Sequence, residues 1–147
     1  MEPIKCFLVE PVFDAPNSLP ADDRDWDPDF RAILRFCNPA TGEEHEQPHQ
    51  FGVGAMWRAV WYPKNFVWSN ETEPHLIVET PGGIWDIDDR CSNCTLPNDT
   101  LHRCWVRHGE PPNITVDKKG LTCAAGAGSI AQKTWHGFLR NGYLVKA

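Results

Sequence analysis

Thirteen prolines and eleven glycines interrupt this 147-residue chain, and they limit its possible folds more than any other feature. Proline removes a backbone donor and clashes with the preceding helical turn, and glycine in a helix carries an entropic penalty. Long helices have little room. The expected fold is mainly β with a minor α+β character, made of small antiparallel sheets and hairpins. The length suits one compact domain, 1–147, with its own buried core.

Taken in order, residues 4–13 (IKCFLVEPVF) read as a first strand, and 14–29 as a polar stretch with six aspartates that buries little. Together, residues 1–30 suggest an extended N-terminal arm able to lie along a neighbour, adding a strand to it. Residues 31–37 are strand-like, Asn38-Pro39-Ala40-Thr41-Gly42 is a turn, and 43–51 can return as the partner strand. Residues 54–62 (GAMWRAVWY) give the one short helix, because Met56/Val60 and Trp57/Trp61 are each four apart and Pro63 stops the run. Residues 76–80 and 84–88 flank Pro81-Gly82-Gly83 as a hairpin. A short piece near 103–107 and a strand at 113–117 follow. Asn141-Gly142 marks a final hairpin within 135–146.

The formal net charge of −6 argues against sequence-independent nucleic-acid binding, although Lys118, Lys119 and Lys133 offer a local basic patch. No apolar run approaches the roughly 20 residues of a membrane span. Residues 1–10 carry one lysine, acids and prolines, which is not a secretory signal pattern. A reducing cytoplasm is therefore expected, where clustered cysteines hold metal more often than they pair. The Asn-x-Ser/Thr triplets at Asn70, Asn93, Asn98 and Asn113 are then chance.

Residues 82–147 form a Cys/His-rich core unit, expected to be irregular and tied together by its side chains. Cys91 and Cys94 make a C-x-x-C, Cys104 follows after nine residues and Cys123 after eighteen more. His102 and His108 flank Cys104. Zinc takes four tetrahedral thiolate or imidazole ligands, and a C-x-x-C turn can present two sulfurs to one ion. The second pair is not C-x-x-C, so this is half a match. The candidates are Cys91, Cys94, Cys104, Cys123 and one of His102 or His108, holding zinc. Disulfides, or free thiols beside surface histidines, are the alternatives.

Other patterns fit less well. His45-Glu46-Gln47-Pro48-His49 matches the metalloprotease H-E-x-x-H, but that motif needs a helix and Pro48 sits inside it. Gly126-Ala127-Gly128-Ser129-Ile130-Ala131 resembles a dinucleotide fingerprint without room for the helix and acid that should follow. Alternation in IWDID puts Asp86 and Asp88 on one solvated strand face. A Cys/His nucleophilic pair requires a base within reach of the thiol, which spacing alone does not establish. The tryptophans are mostly core, with some available for a partner.

The stretch SNCTLPNDTLHRCWVRHGEPPNITVDKKGLTCAAGAGSI…WHGFLRNG, with PGGIWDID and VGAMW upstream, resembles a group of small uncharacterised proteins of tailed phages and prophages. The likeness runs over residues 52–143. In that group the Cys91 position need not be cysteine, which shifts the implied ligand set toward Cys94, Cys104, Cys123 and a histidine. The resemblance implies a virion structural protein: capsid decoration or cement, or a tail or head–tail accessory. It would be made in the host bacterial cytoplasm and would contact other virion proteins in a multi-copy assembly. Neither membrane nor direct nucleic-acid contact is expected, and no catalytic residue is assigned. The competing classes are a metal- or cysteine-dependent hydrolase and an intracellular host-interaction module.

Overall fold

The computed structural model describes residues 2–13, 33–59, 74–125 and 128–147. The chain is mostly β, in small sheets, and none of the described residues forms a long helix. One four-stranded sheet contains β1 (Ile4–Lys5), β13 (Tyr143–Lys146), β12 (His136–Arg140) and β11 (Ile130–Ala131), in that order. A second contains β2 (Phe7–Leu8), β6 (Ala55–Arg58), β7 (Leu76–Thr80) and β8 (Gly83–Asp86). A three-stranded sheet is ordered β3 (Glu10–Phe13), β4 (Ile33–Cys37), β5 (Glu44–His45). A ribbon pairs β9 (Val106–His108) with β10 (Thr115–Asp117).

The first strand differs from expectation in one respect: residues 4–13 pair within the molecule and change partner twice. β1 pairs antiparallel with β13, β2 parallel with β6, and β3 antiparallel with β4. Backbone hydrogen bonds fix each hand-over: Cys6 N–H to Gly142 O (2.8 Å), Phe7 N–H to Gly54 O (3.0 Å) and Val9 N–H to Met56 O (2.8 Å). These residues are thus a seam joining three sheets, not part of an arm free to join a neighbour. The aspartate-rich stretch 14–29 lies outside the described residues.

The second sheet is covered on both faces. Met56, Leu76 and Val78 point into a cluster with Leu139, Leu144, Ile130, Ile114, Val116 and Ile87. Ala55, Trp57 and Ile77 point the other way, onto Val9 and Phe36. Residues 6–9 obey the same alternation, Cys6 and Leu8 in the first cluster, Phe7 and Val9 in the second. Cys6 is buried deeply enough that desolvation pushes its thiol up to about 12, so it behaves as a small core apolar group.

This double burial corrects the helix expected over 54–62: residues 55–58 are the strand β6. A strand apolar on both faces shows no alternation, and chance four-residue spacings then mimic a helix. Residues 60–62 lie outside the described residues. Gly54 is required where the seam crosses β6. Its φ is +100°, and a Cβ there would stand 2.8 Å from the Lys5 carbonyl oxygen.

Both turn-based hairpins form. β7 and β8 pair antiparallel with Thr80 opposite Gly83, and β12 and β13 with Arg140 opposite Tyr143. Asn141 (φ 48°) and Gly142 (φ 78°) take the two left-handed positions that a tight β-hairpin turn requires. In the H-E-x-x-H segment, His45 is on β5 while His49 is in a 3-10 helix, Pro48–Phe51, so the two histidines do not share an α-helical face. No helix among the described residues is long and apolar enough to cross a membrane.

Candidate metal centre

The Cys/His unit begins where the β7–β8 hairpin ends. β8 stops at Asp86, and the chain turns inward through Ile87 and Asp88, both buried. Asp88 accepts the Leu76 N–H (2.8 Å) and the Arg107 Nε–H (3.0 Å). Asp86 accepts the Asp88 N–H (3.0 Å) and lies 2.7 Å from Nδ1 of the buried His75. Desolvation raises the Asp86 carboxyl, opposed by the His75 hydrogen bond and charge. The solvated face expected for these two aspartates is therefore wrong. The strand ends between them, so its alternation stops, and Asp88 becomes a buried tie between β7 and β9.

Past this tie, the Cys94 N–H returns to the Cys91 carbonyl (3.2 Å), closing a tight knuckle. Arg103 donates its N–H to Leu121 O (2.9 Å) and forms a parallel bridge with Thr122. That bridge sets Cys104 beside Cys123, with their sulfurs 4.0 Å apart. His102 Nε2 lies 3.3 Å from Cys94 Sγ and 4.0 Å from Cys104 Sγ. The donor atoms of Cys94, His102, Cys104 and Cys123 all fall within 4.8 Å of one another. His102, Cys104 and Cys123 are buried and Cys94 is half-buried.

These separations suit a metal ion. Tetrahedral zinc, with sulfur at about 2.3 Å and nitrogen at about 2.0–2.1 Å, places neighbouring sulfurs about 3.8 Å apart and sulfur and nitrogen about 3.6 Å apart. The four residues are close enough to hold a metal ion. All six cysteines are free thiols, and the 4.0 Å between Cys104 and Cys123 is twice a disulfide bond of about 2.05 Å. The disulfide alternative for this unit is thus not what the structure contains.

Of the expected ligands, Cys91 and His108 fall outside the group of four. Cys91 packs against it. His108 is on β9, exposed, with Nε2 2.7 Å from Asp117 Oδ1. The thiols titrate unequally. Burial pushes Cys104 up to about 12, helped by the thiols of Cys91 and Cys94 and opposed by the Cys91 N–H. Burial also raises Cys123, but the N–H groups of Thr95 and Ala125, the Thr95 hydroxyl and the Cys104 thiol lower it to about 6.

Arg90 was not a sequence candidate, yet it braces the site. Its guanidinium donates to Cys94 Sγ (3.2 Å), Leu96 O (3.0 Å) and Asp99 O (3.3 Å). It thereby joins the knuckle to the loop that delivers His102. A carboxylate oxygen of Asp99 accepts the Leu101 N–H (2.7 Å) and lies 3.9 Å from His102 Nδ1. Its position one residue before the C-x-x-C was the only signal that could have found Arg90. Trp105 packs against both this cluster and the main core, and meets Trp85 edge to face at 5.5 Å. Compared with family models, curated proteins and solved structures, the chain matches none.

Proposed function

We propose that Cys94, His102, Cys104 and Cys123 bind one structural zinc ion, and that this protein acts by contact with other proteins. The observation that carries the reading is the convergence of four protein donors, three of them buried. Catalytic zinc keeps an open position for water beside three protein ligands, whereas structural zinc is closed by four. Three thiolates favour zinc over the harder cations that oxygen ligands select. Residues 87–105 carry no strand of their own, so the ion supplies the order that hydrogen-bonded sheets supply elsewhere. Structural zinc in such a site contributes on the order of 10 kcal/mol.

The biological role we propose is that of a tailed-phage virion component, in capsid decoration or as a tail or head–tail accessory. The resemblance over residues 52–143 supports it, as does a site closed against chemistry. The two parts separate experimentally. Native mass spectrometry of the purified chain should show one zinc, lost in Cys94→Ser and Cys123→Ser; a metal-free folded chain ends the zinc reading. Washed virions should contain the protein in stoichiometric amount; its absence ends the virion reading and leaves the zinc site standing.

A further inference from the structure

A cavity of about 440 Å³ lies between the β10 strand and β12, apart from the metal ligands. That is within the roughly 300–1,000 Å³ typical of small-molecule sites. Its lining includes the apolar ring of the part-exposed Phe138, while Val116, also at its edge, packs into the main core. Lys118, Lys119 and Arg140 also line it. Three cations among the lining residues contrast with a chain whose net charge is −6.

We propose that this cavity binds a small organic oxyanion, a phosphate or carboxylate carried on a flat apolar body. The Arg140 guanidinium carbon sits 4.2 Å over the Phe138 ring. The ring stabilises the cation without consuming an N–H donor, so those donors remain for two-point contact with an oxyanion. Lys118 is fixed by its hydrogen bond to the Cys104 carbonyl (2.6 Å), which holds the wall in shape. Lys119 is exposed on the turn beside it and brings the second mobile charge. The one acid on the wall, Asp117, is already engaged by His108 Nε2 (2.7 Å) and the Lys119 N–H (2.8 Å). Thr115 and Asn141 complete the rim, tied to each other by the Asn141 N–H and Thr115 Oγ1 (3.0 Å). Phe138 offers apolar surface to the body of the ligand, and Arg140 and Lys119 meet its charge.

The test is a two-dimensional NMR titration of the full chain with phenyl phosphate, benzoate and benzyl alcohol. Saturable shifts at the amides of Thr115, Lys119 and Asn141 are expected with one or both anions, and the anion that binds identifies the headgroup. Benzyl alcohol should bind at least about tenfold more weakly, and Arg140→Gln and Lys119→Gln should each weaken anion binding about fivefold or more. Both side chains are exposed, so the variants should keep the wild-type spectrum elsewhere; if Arg140→Gln does not fold, Lys119→Gln decides. Absence of saturable shifts, equal binding of the alcohol, or wild-type affinity in the folded variants would overturn the proposal.

Discussion

Replacing Arg90 with glutamine tests whether the metal centre is braced from outside its ligand shell. The Arg90 guanidinium contacts include Cys94 Sγ at 3.2 Å, Leu96 O at 3.0 Å and Asp99 O at 3.3 Å. Of these, the first is directed at a group that would become an anion on metal binding. Hydrogen bonds to charged groups contribute about 1.5–3 kcal/mol, and the half-buried position of Arg90 argues for the lower end. A loss of about 1.5 kcal/mol weakens zinc affinity about tenfold, at the lower edge of the 10–100-fold usual for residues supporting metal ligands. Lysine at this position keeps the charge but cannot span three acceptors, so Arg90→Lys should recover only part of the loss. Competition for zinc against a chromophoric chelator measures all three proteins. Cobalt substitution reports in parallel whether the thiolate charge-transfer bands keep their shape. A folded Arg90→Gln protein with affinity within twofold of wild type would refute this role.

Three further outcomes follow from the same geometry. If the proposed zinc is bound, chelating it should abolish hydrogen-exchange protection around Arg103 and Cys104 while sparing Leu139 and Leu144, since the main core does not include the proposed ligands; uniform loss over the chain would contradict this. Asp88→Ala leaves the Leu76 N–H and Arg107 Nε without their carboxylate, and breaking such a buried pair should cost about 3 kcal/mol, read from the urea midpoint with m unchanged. Asp117 is raised by desolvation but lowered more by the Lys119 N–H and His108, so it titrates below the ordinary carboxylate range. A depressed folded value means its contribution is complete above the unfolded pKa of about 3.9 and is lost as pH falls through the folded value. Asp117→Asn should therefore flatten the acid limb of the stability profile below about pH 4, and an unchanged limb would count against the His108–Asp117 contact.

What could be read from the sequence depended on how local its cause was. The hairpins at Pro81-Gly82 and Asn141-Gly142 follow from turn chemistry confined to a few residues, and both form. The helical spacing at β6 misleads because its pattern is set by two cores meeting on either side of it, which no window of neighbouring residues reveals. The seam at residues 4–13 escaped for a related reason. Its partners, Tyr143, Ala55 and Cys37, are distributed over the whole chain. At the candidate site, spacing singled out the thiols but could not choose between His102 and His108, which both flank Cys104. The choice is made by β9, which begins at Val106 and carries His108 out to Asp117. Spacing likewise could not exclude Cys91, which stays in contact with Cys104 without joining the group of four.

X-ray absorption at the zinc edge on the purified chain addresses the metal centre most directly. Three sulfur scatterers at about 2.3 Å and one nitrogen at about 2.0 Å, with one zinc per chain, are the predicted result. An absent edge in folded protein, or a shell dominated by oxygen and nitrogen, would contradict the assignment of Cys94, His102, Cys104 and Cys123 as the ligands.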